Sequence, residues 1–314
     1  MVTKSEDVAR AAGVSRATVS QILNGHGQRF SKATRERVLQ AAEELAYRPS
    51  VAGRALATGT SDIVVALLPY TTLSGNLQHV LERATDDLAK RGITLVLRLS
   101  TRAVASLEHL VTTLRPRAVF SITPFGEDEQ ALLERHGTAV VSPGVHDDGF
   151  DHRVGRAQAE HLIERGCQRL AYVHIDDERY DLFGPLREAG VREVCKEHGL
   201  PEPVVLKPRL AHTDALGAVD ALVPGTGVAC FNDDIGVALM HAAAERERRV
   251  PGDTAIIGMD GTQLSEAVGL TTLSVDIDAA AQDALNALLS GFGLPVEEPS
   301  RPPLEPRVVE RRTT

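Results

Sequence analysis

Apolar residues in the first fifty positions recur every three or four residues, which is the spacing of one helix face. Three stripes follow this spacing, namely Val8, Ala9 and Ala12, then Val19, Ile22 and Leu23, then Val38, Leu39, Ala42 and Leu45. We expect Gly13 to turn the chain between the first two helices, because glycine adopts positive φ without strain. Pro49 cannot continue a helix and ends the third one. The pattern therefore predicts three short helices within residues 1–49.

Polar residues at the predicted helix starts support this division. Thr3 and Glu6 predict a capping box on the first helix, and Ser15 and Ser31 predict the N-caps of the second and third. Two helices joined by a short turn leave the N-terminal end of the second free to enter a DNA major groove. The same spacing also suits an ordinary helical hairpin with a solvated polar face.

From Asp62 onward, apolar runs alternate with amphipathic segments. The runs predict strands at 62–69, 93–99, 118–123, 138–142, 169–175, 204–206, 227–231 and 254–260. The segments predict helices at 76–92, 104–114, 127–137, 154–166, 183–198, 213–223, 235–248 and 279–289. The alternation occurs in two successive series of strands and helices. This favours two similar lobes, each a parallel sheet with helices on both faces. The run LLPYTTLSGN after the first strand matches neither a dinucleotide fingerprint nor a P-loop, which disfavours a nucleotide-dependent enzyme.

Composition narrows the class of protein. The chain has 314 residues, 43% of them apolar and 4% aromatic, which suits two or three globular domains with aliphatic cores. Cys167, Cys195 and Cys230 are widely spaced, so neither a disulfide framework nor a zinc site is predicted. The His- and Asp-rich segment 146–152 is interpreted as a solvated loop, and no metal or cofactor is predicted. Because no signal segment or long apolar run occurs, we expect a cytoplasmic protein without a membrane span.

Charge is divided unevenly along the chain. Residues 1–60 carry nine Lys and Arg against five Asp and Glu, whereas the remainder carries 25 against 38. A basic head on an acidic body predicts that only the head meets a polyanion. Chance variation along the chain is the alternative.

The outward face of the second helix carries side chains suited to reading DNA. These are Arg16, Ala17, Ser20 and Gln21. Arginine pairs with guanine through two hydrogen bonds, and glutamine pairs with adenine in the same way. Ser15 and Thr18 are placed to reach phosphates at the helix N-terminus, which favours anions.

The small residues of SVAGRALATGT, positions 50–60, predict a helix-capable connection between the head and the body. A plain linker would not need Leu56. An exposed leucine at this place suits a wedge that enters the minor groove between two base pairs.

Polar side chains in the body follow the predicted strands. Asn232 and Asp233 follow one strand, and Asp260 follows the next. Asp151 lies at the predicted boundary between the first lobe and the second. Ligands of open α/β sheets bind at these strand ends, which makes the group a candidate cleft site. The equally weighted alternative is that the Asn and Asp residues cap the helices that follow.

The segments DVARAAGVSRATVSQILNG and TRERVLQAAEELAYRP together resemble the lactose-repressor (LacI) family of bacterial regulators. The segment ACFNDDIGVALMHAAAERERRVPGDTAIIGMDG resembles the effector domain of that family more weakly. The resemblance implies an all-α three-helix head, a hinge helix that folds on the operator, and an α/β two-lobed effector domain like that of periplasmic binding proteins. It implies a homodimeric repressor of near-palindromic double-stranded DNA, controlled by a small polar effector such as a sugar.

Carried over residue by residue, the resemblance also implies a set of contacts. Arg16 and Ala17 match the main base-reading positions, and Leu56 matches the intercalating hinge position. The wider DNA-binding set comprises Ser15, Thr18, Ser20, Gln21, Asn24, Arg29, Ser31, Thr34, Tyr47 and Arg54. The effector-binding set comprises Asn232, Asp260, Asp151 and Arg187.

The chain departs from the family pattern at several places. Gln21 stands where many members have arginine, and the loop from Gly25 to Ser31 is one residue longer than usual. Gly53 replaces a common alanine in the hinge, at a cost of about 1 kcal/mol of helix stability. The run YTTLSGNLQ lacks the usual Asp and Asn-Pro-aromatic residues, and Pro185 occupies the place of a frequent arginine, two residues before Arg187.

We expect a DNA-binding domain at 1–49, a hinge at 50–61 and a two-lobed effector and dimerisation domain at 62–314. Lobe 1 is predicted at about 62–150 with 275–292, and lobe 2 at 151–274 with 293–314. The rival functions are a cytosolic solute-binding protein with an incidental head, a regulator that has lost effector binding, and an α/β enzyme. The enzyme is disfavoured because the chain has no nucleophile motif such as GxSxG. Deleting residues 1–60 separates a regulator from a solute binder, since only the regulator would lose DNA affinity.

The hinge interpretation predicts the effect of Leu56→Ala. The substitution should weaken binding to an operator much more than binding to unrelated DNA. Inserting the leucine costs unstacking energy, and this cost is recovered only at a base step that kinks easily. Fluorescence anisotropy with both kinds of DNA measures this. Equal losses on the two DNAs would contradict the hinge role.

Overall fold

The computed structural model describes residues 3–23, 27–47, 61–68, 75–99, 104–121, 125–141, 149–176, 183–291, 296 and 304–314. Asn24, Arg54 and Leu56, together with most of the predicted hinge, lie outside these residues. Within the described residues, no helix combines the length and the apolarity needed to cross a bilayer.

The head is a bundle of three helices. They are α1 (Ser5–Ala12), α2 (Arg16–Leu23) and α3 (Lys32–Glu44), with a short 3-10 helix at Gly27–Arg29. Val8, Val19 and Val38 are fully buried where the three helices meet. Gly13 turns the chain after α1 with φ of 65°. The prediction of three helices in this part of the chain is confirmed.

The predicted N-caps of α2 and α3 are present. The Ser15 hydroxyl accepts a hydrogen bond from the Thr18 amide at 3.1 Å. The Ser31 hydroxyl accepts one from the Thr34 amide at 3.2 Å. Each bond satisfies an amide that the first helical turn leaves without a partner.

The predicted capping box of α1 is wrong. Lys4 is the N-cap, and its amide donates to the Asp7 carboxylate at 2.9 Å. The Thr3 hydroxyl instead donates to the Leu45 carbonyl at 3.1 Å, which ties the start of the chain to the end of α3. Only the reciprocal half of a capping box is therefore present, one residue after its predicted place at Thr3 and Glu6, because a lysine side chain cannot accept a hydrogen bond.

Two predictions for α3 are also wrong. Leu39 is 53% exposed, and Ala41 is buried in its place. The helix ends at Glu44 rather than shortly before Pro49, because Ala46 adopts φ of 48°. The Tyr47 amide then donates back to the Ala42 carbonyl at 2.8 Å, the hydrogen bond of a Schellman motif.

The body contains two sheets. The first has the strand order β2-β1-β3-β4 and the second has the order β10-β9-β8-β7-β5-β6. All neighbouring strands are parallel except β10, which is antiparallel to β9. The first sheet comprises β1 (Ser61–Leu68), β2 (Thr94–Leu99), β3 (Pro116–Ser121) and β4 (Ala139–Val141). The second comprises β5 (Arg169–Val173), β6 (Val204–Leu206), β7 (Thr226–Cys230), β8 (Thr254–Met259), β9 (Thr271–Ser274) and β10 (Arg307–Val309).

Nine helices of the described body connect these strands. They are α4 (Gly75–Lys90), α5 (Val104–Leu114), α6 (Glu127–Arg135), α7 (Phe150–Glu164), α8 (Gly184–Glu197), α9 (His212–Asp220), α10 (Asp233–Glu245), α11 (Gln263–Val268) and α12 (Ile277–Gly291). Leu285 and Leu288 of α12 are buried together with Val64 and Leu81, so the chain returns to the first sheet after β9. The predicted α/β body with parallel sheets is confirmed.

Some elements differ from their predicted bounds. α7 begins at Phe150 rather than at Val154, and α11 and β9 were not predicted. The strand β9 is short and threonine-rich, with Thr271 and Thr272 fully buried, so it does not show the apolar run that marks the other strands. Its burial comes from pairing between β8 and β10, which is a tertiary feature.

The helices α7 and α8 touch through their backbones at two glycines. A Cβ atom on Gly155 would lie 1.8 Å from the Arg187 carbonyl oxygen, and one on Gly190 would lie 2.2 Å from the His152 carbonyl oxygen. Asp151 lies one helical turn before Gly155, and Arg187 lies three residues before Gly190, on the contacting faces. The glycines therefore bring these two charged residues together.

The close contact between α7 and α8 at these glycines predicts the effect of Gly155→Ala. The added methyl group would collide with backbone and force the helices apart, so we expect a loss of about 3 kcal/mol or more in the free energy of unfolding. The melting temperature should fall by at least about 5 °C. Gly217→Ala on α9 is the matched control, because no atom lies within 4 Å of the added methyl group. It should leave stability unchanged or raise it slightly. Equal melting temperatures for the two variants would contradict this account.

Candidate functional site

The helix α2 presents the residues predicted to read bases. Arg16 and Ala17 are exposed, and Ser20 and Gln21 are half-buried at the edge of the head core. An Arg16 guanidinium nitrogen lies 3.4 Å from a carboxylate oxygen of Glu6. Exposed ion pairs of this kind are weak, so Arg16 can exchange Glu6 for another partner at little cost.

Arg29 lies beside Gln21 and donates a hydrogen bond to the Gln21 side-chain oxygen. Its guanidinium carbon also lies 5.1 Å from the centre of the Phe30 ring, within the range of a cation–π contact. The longer loop before Ser31 thus forms a 3-10 turn that places a cation next to the outward face of α2. Sequence spacing alone did not indicate this pairing.

Hydroxyl groups surround the start of α2 and the start of α3. The Ser15 and Thr18 hydroxyls lie 2.9 Å apart, as do the Ser31 and Thr34 hydroxyls. Tyr47 packs at the edge of the head core with its side chain partly exposed. The four hydroxyls flank the two helix N-termini, where amide groups favour anions such as phosphates, whereas Tyr47 follows the end of α3.

In the body, the neighbouring strands β7 and β8 deliver Asn232 and Asp260 to the same sheet edge. The Asn232 side-chain oxygen accepts a hydrogen bond from the Ile235 amide at 3.1 Å, so it caps α10. Asp233 is buried and accepts hydrogen bonds from the Thr272 hydroxyl at 2.6 Å and the Thr262 amide at 2.7 Å. Asp233 therefore holds the loops around the strand ends together.

Arg187 is a buried cation that links α8 to this edge. Its Nε donates to Asp151 at 2.7 Å, and its Nη1 donates to the Phe231 carbonyl at 2.7 Å. The guanidinium carbon lies 5.0 Å from the centre of the Phe231 ring and 5.9 Å from that of Phe183. Burial alone would lower the pKa of Arg187, but Asp151, Tyr172 and Asp260 together raise it above its ordinary value, so the guanidinium remains charged.

Asp260 is the most perturbed carboxyl group at the strand ends. Burial raises its pKa to about 7, Arg187 opposes the rise, and the nearby Asp233, Asp234 and Asp151 add to it. Its backbone has φ of 112°, a conformation that costs a side-chain-bearing residue about 1–3 kcal/mol. Strain and perturbed ionisation at one residue are typical of functional sites.

Asn76 lies at the start of α4, the helix that packs on the first sheet, and it contacts this edge. Its side-chain amide donates a hydrogen bond to the Asp260 carbonyl oxygen at 2.7 Å. Asn76 lies in the run YTTLSGNLQ, whose residue pattern does not indicate this contact. The structure thus gathers Asp151, Arg187, Asn232 and Asp260 around one edge, with Asn76 joining them from α4.

Comparisons with known proteins decide the family. Residues 6–50 match the model of the bacterial regulatory proteins of the lacI family, and residues 159–314 match that of a periplasmic binding protein-like domain. The ribose operon repressor of Halalkalibacterium halodurans is 31% identical over 296 residues, covering 88% of this chain and 86% of that protein. The chain belongs to the LacI family of bacterial regulatory proteins.

Other relatives agree along the whole length of this LacI-family chain. The transcriptional repressor PurR of Vibrio atlanticus is 27% identical, covering 98% of this chain and 97% of that protein. A lac repressor dimer bound to operator and the anti-inducer ONPF has a TM-score of 0.76 at 20% identity, covering 100% of this chain and 99% of that one. The transcriptional regulator CelR in complex with cellobiose has a TM-score of 0.67 at 22% identity, covering 99% and 100%. These structures share the fold, and the resemblance that was read from the sequence is confirmed.

The pKa of Asp260 predicts how the stability of this regulator depends on pH. Between pH of about 4 and about 7, the folded chain holds a proton on Asp260 that the unfolded chain has lost. The unfolded state binds fewer protons, so this residue makes the free energy of unfolding fall as pH rises, by up to about 1.4 kcal/mol per pH unit.

Asp260→Asn should remove this component, which thermal unfolding of both proteins across pH 4–7 would measure. Asp214→Asn is the matched control, because Arg209 holds the pKa of Asp214 at about 2. Asp214 therefore stays ionised in the folded chain across this interval and makes the free energy of unfolding rise slightly, not fall, as pH rises. An identical pH dependence for the Asp260→Asn variant and the unmodified chain would contradict the assignment.

Proposed function

We propose that this chain is a homodimeric repressor that binds a near-palindromic operator, and that a small polar effector between its two lobes controls its operator affinity. The observation that carries the proposal is the joining of a helix-turn-helix head, with Arg16 and Ala17 exposed on α2, to a body whose strand ends gather Arg187, Asp151 and Asp260. The names of the ribose operon repressor and PurR relatives support repression. The neighbouring lac repressor dimer is bound to operator, and CelR is bound to cellobiose.

In this proposal, Arg16 and Ala17 read the major groove. Gln21 and Arg29 act as a pair, in which Gln21 orients the Arg29 guanidinium toward the DNA and offsets the lack of an arginine at position 21. Leu56 enters the minor groove. The residues assigned to flanking or backbone contacts are Ser15, Thr18, Ser20, Asn24, Ser31, Thr34, Tyr47 and Arg54.

The proposed effector site uses Asp151, Asn232 and Asp260 as polar contacts. Arg187 holds Asp151 in place, because its Nε and Nη1 are engaged by Asp151 and the Phe231 carbonyl. A carboxyl group with a pKa of about 7 both donates and accepts hydrogen bonds near neutral pH, which suits hydroxyl groups of a sugar or a related metabolite.

The proposed switch is a change in the relative position of the lobes. We assign lobe 1 to about 62–150 with 275–292 and lobe 2 to 151–274 with 293–314. An effector that contacts both lobes favours one arrangement, and the hinge at 50–61 transmits it to the head as a population shift. A regulator of this kind acts in the cytoplasm, where the bacterial DNA lies, and needs no catalytic group.

The test is operator selection. Genomic DNA fragments retained by the purified full-length chain are sequenced, and one is titrated by fluorescence anisotropy against a scrambled fragment at moderate salt. We expect the selected fragment to bind at least about 10³-fold more tightly. Affinity that depends only on salt and not on sequence would overturn the proposal.

A thermal-shift screen identifies the effector class. A ligand that binds only the folded chain raises its melting temperature, and sugars, nucleosides and related polar metabolites are the compounds to screen. Asp260→Asn should abolish the shift for an active compound. Retention of the full shift in that variant would place the ligand elsewhere.

The base-reading assignment predicts the effect of Arg16→Ala. Losing a two-bond contact to one base should relax the preference at a single operator position, at a cost of about 1–3 kcal/mol. Competition binding against single-base operator variants measures this. Arg10→Ala on the exposed face of α1 is the matched control and should leave the base preference unchanged. A uniform loss across all variants for Arg16→Ala would assign it to phosphate contact instead.

A further inference from the structure

Two helices of the second sheet carry a group of side chains that the regulator mechanism does not use. His212 is the first residue of α9, and His241 and Glu245 lie one turn apart near the end of α10. All three side chains are exposed, and one potential ligand atom from each lies within 4.8 Å of the others. Sequence spacing does not reveal the group, because His212 belongs to a different helix.

We propose that His212, His241 and Glu245 bind a divalent transition-metal ion such as Zn²⁺ or Ni²⁺. Two imidazoles and one carboxylate form a donor set that these ions accept, with water in the remaining coordination positions. His241 and Glu245 have the i, i+4 spacing that places two ligands on one face of a helix. His212 completes the set from the adjacent helix.

The distances favour this interpretation. The His212 Nε2 lies 3.2 Å from a Glu245 carboxylate oxygen. Ligand atoms at about 2.0–2.1 Å from a tetrahedral zinc ion lie about 3.3–3.4 Å from one another. The centres of the His212 and His241 rings lie 5.7 Å apart with an angle of 48° between their planes. Because the side chains are exposed, small torsional changes are enough to bring the His241 nitrogen into the same sphere.

The backbone beneath the group is well supported. Ala215 and Val219 of α9 are buried in one core cluster with Leu239, Ala242 and Ala243 of α10. The two helices are therefore packed against each other, and binding needs only side-chain movement. A metal ion would link α9 to the helix that Asn232 caps at its other end.

The surrounding charges also permit a cation. Arg246 follows Glu245 directly, but it donates two hydrogen bonds to Asp220, at 2.8 and 3.0 Å. Glu245 also lies in the last turn of α10, where the carbonyl end of the helix favours positive charge, whereas His212 lies at the amide end of α9, which does not. The cysteines Cys167, Cys195 and Cys230 are buried, so their thiols do not compete for an added ion.

The test is a titration of the untagged, EDTA-treated full-length chain with zinc sulfate by isothermal calorimetry. We expect one saturable Zn²⁺ site per chain and a rise in melting temperature on binding. His241→Ala and His212→Ala should each weaken the affinity by at least about tenfold, as should Glu245→Gln. Binding should also weaken at lower pH, because histidine must lose its proton to bind the metal.

His109→Ala, at an exposed histidine on α5, is the matched control and should bind Zn²⁺ as the unmodified chain does. Circular dichroism verifies that each variant is folded. The proposal is overturned if the chain shows no saturable site, or if folded His241→Ala and His212→Ala variants bind Zn²⁺ with unchanged affinity. Neither result depends on DNA or effector binding.

Discussion

The backbone contact between α7 and α8 at Gly155 and Gly190 is the constraint on which the candidate effector site depends. Each glycine lies so close to a carbonyl of the facing helix that no side chain fits. This approach sets Arg187 against Asp151 at 2.7 Å and directs the guanidinium toward the Phe231 carbonyl at the end of β7. A wider helix crossing would separate the two charges and leave a buried cation without its partner.

A buried guanidinium is tolerated only when it is paired and hydrogen-bonded. Here Asp151 and the Phe231 carbonyl provide both conditions, and the aromatic ring of Phe231 covers one face. The charge of Arg187 in turn limits how far burial and neighbouring carboxylates raise the pKa of Asp260. The result is a polar edge with a fixed cation and an acid that titrates near neutral pH. The backbone strain at Asp260 lies at the same edge, where α4 also contributes Asn76.

Some local features of this fold could be predicted from the sequence, whereas the long-range contacts could not. The caps at Ser15 and Ser31 are correct because capping joins residues three positions apart, but the same rule placed the start of α1 one residue too early. Leu39 was placed in the core wrongly, since the direction in which α3 faces its neighbours decides which apolar residues are buried. Asp151 and Arg187 were both singled out, but their pairing joins residues 36 positions apart and depends on the glycine crossing. Sequence patterns locate such residues without showing which of them touch.

The central claim is that the strand-end site and the head are thermodynamically linked. The most direct measurement is the operator affinity of the full-length chain with and without a saturating effector, together with the effector affinity with and without saturating operator. Linkage requires both affinities to change by the same factor, and a factor of about 5–150 is typical of such coupling. We predict that the operator affinity and the effector affinity change by one common factor that differs from 1. The Asp260→Asn variant should lose this coupling. Operator affinity that does not respond to a compound bound at Asp260 would contradict the account.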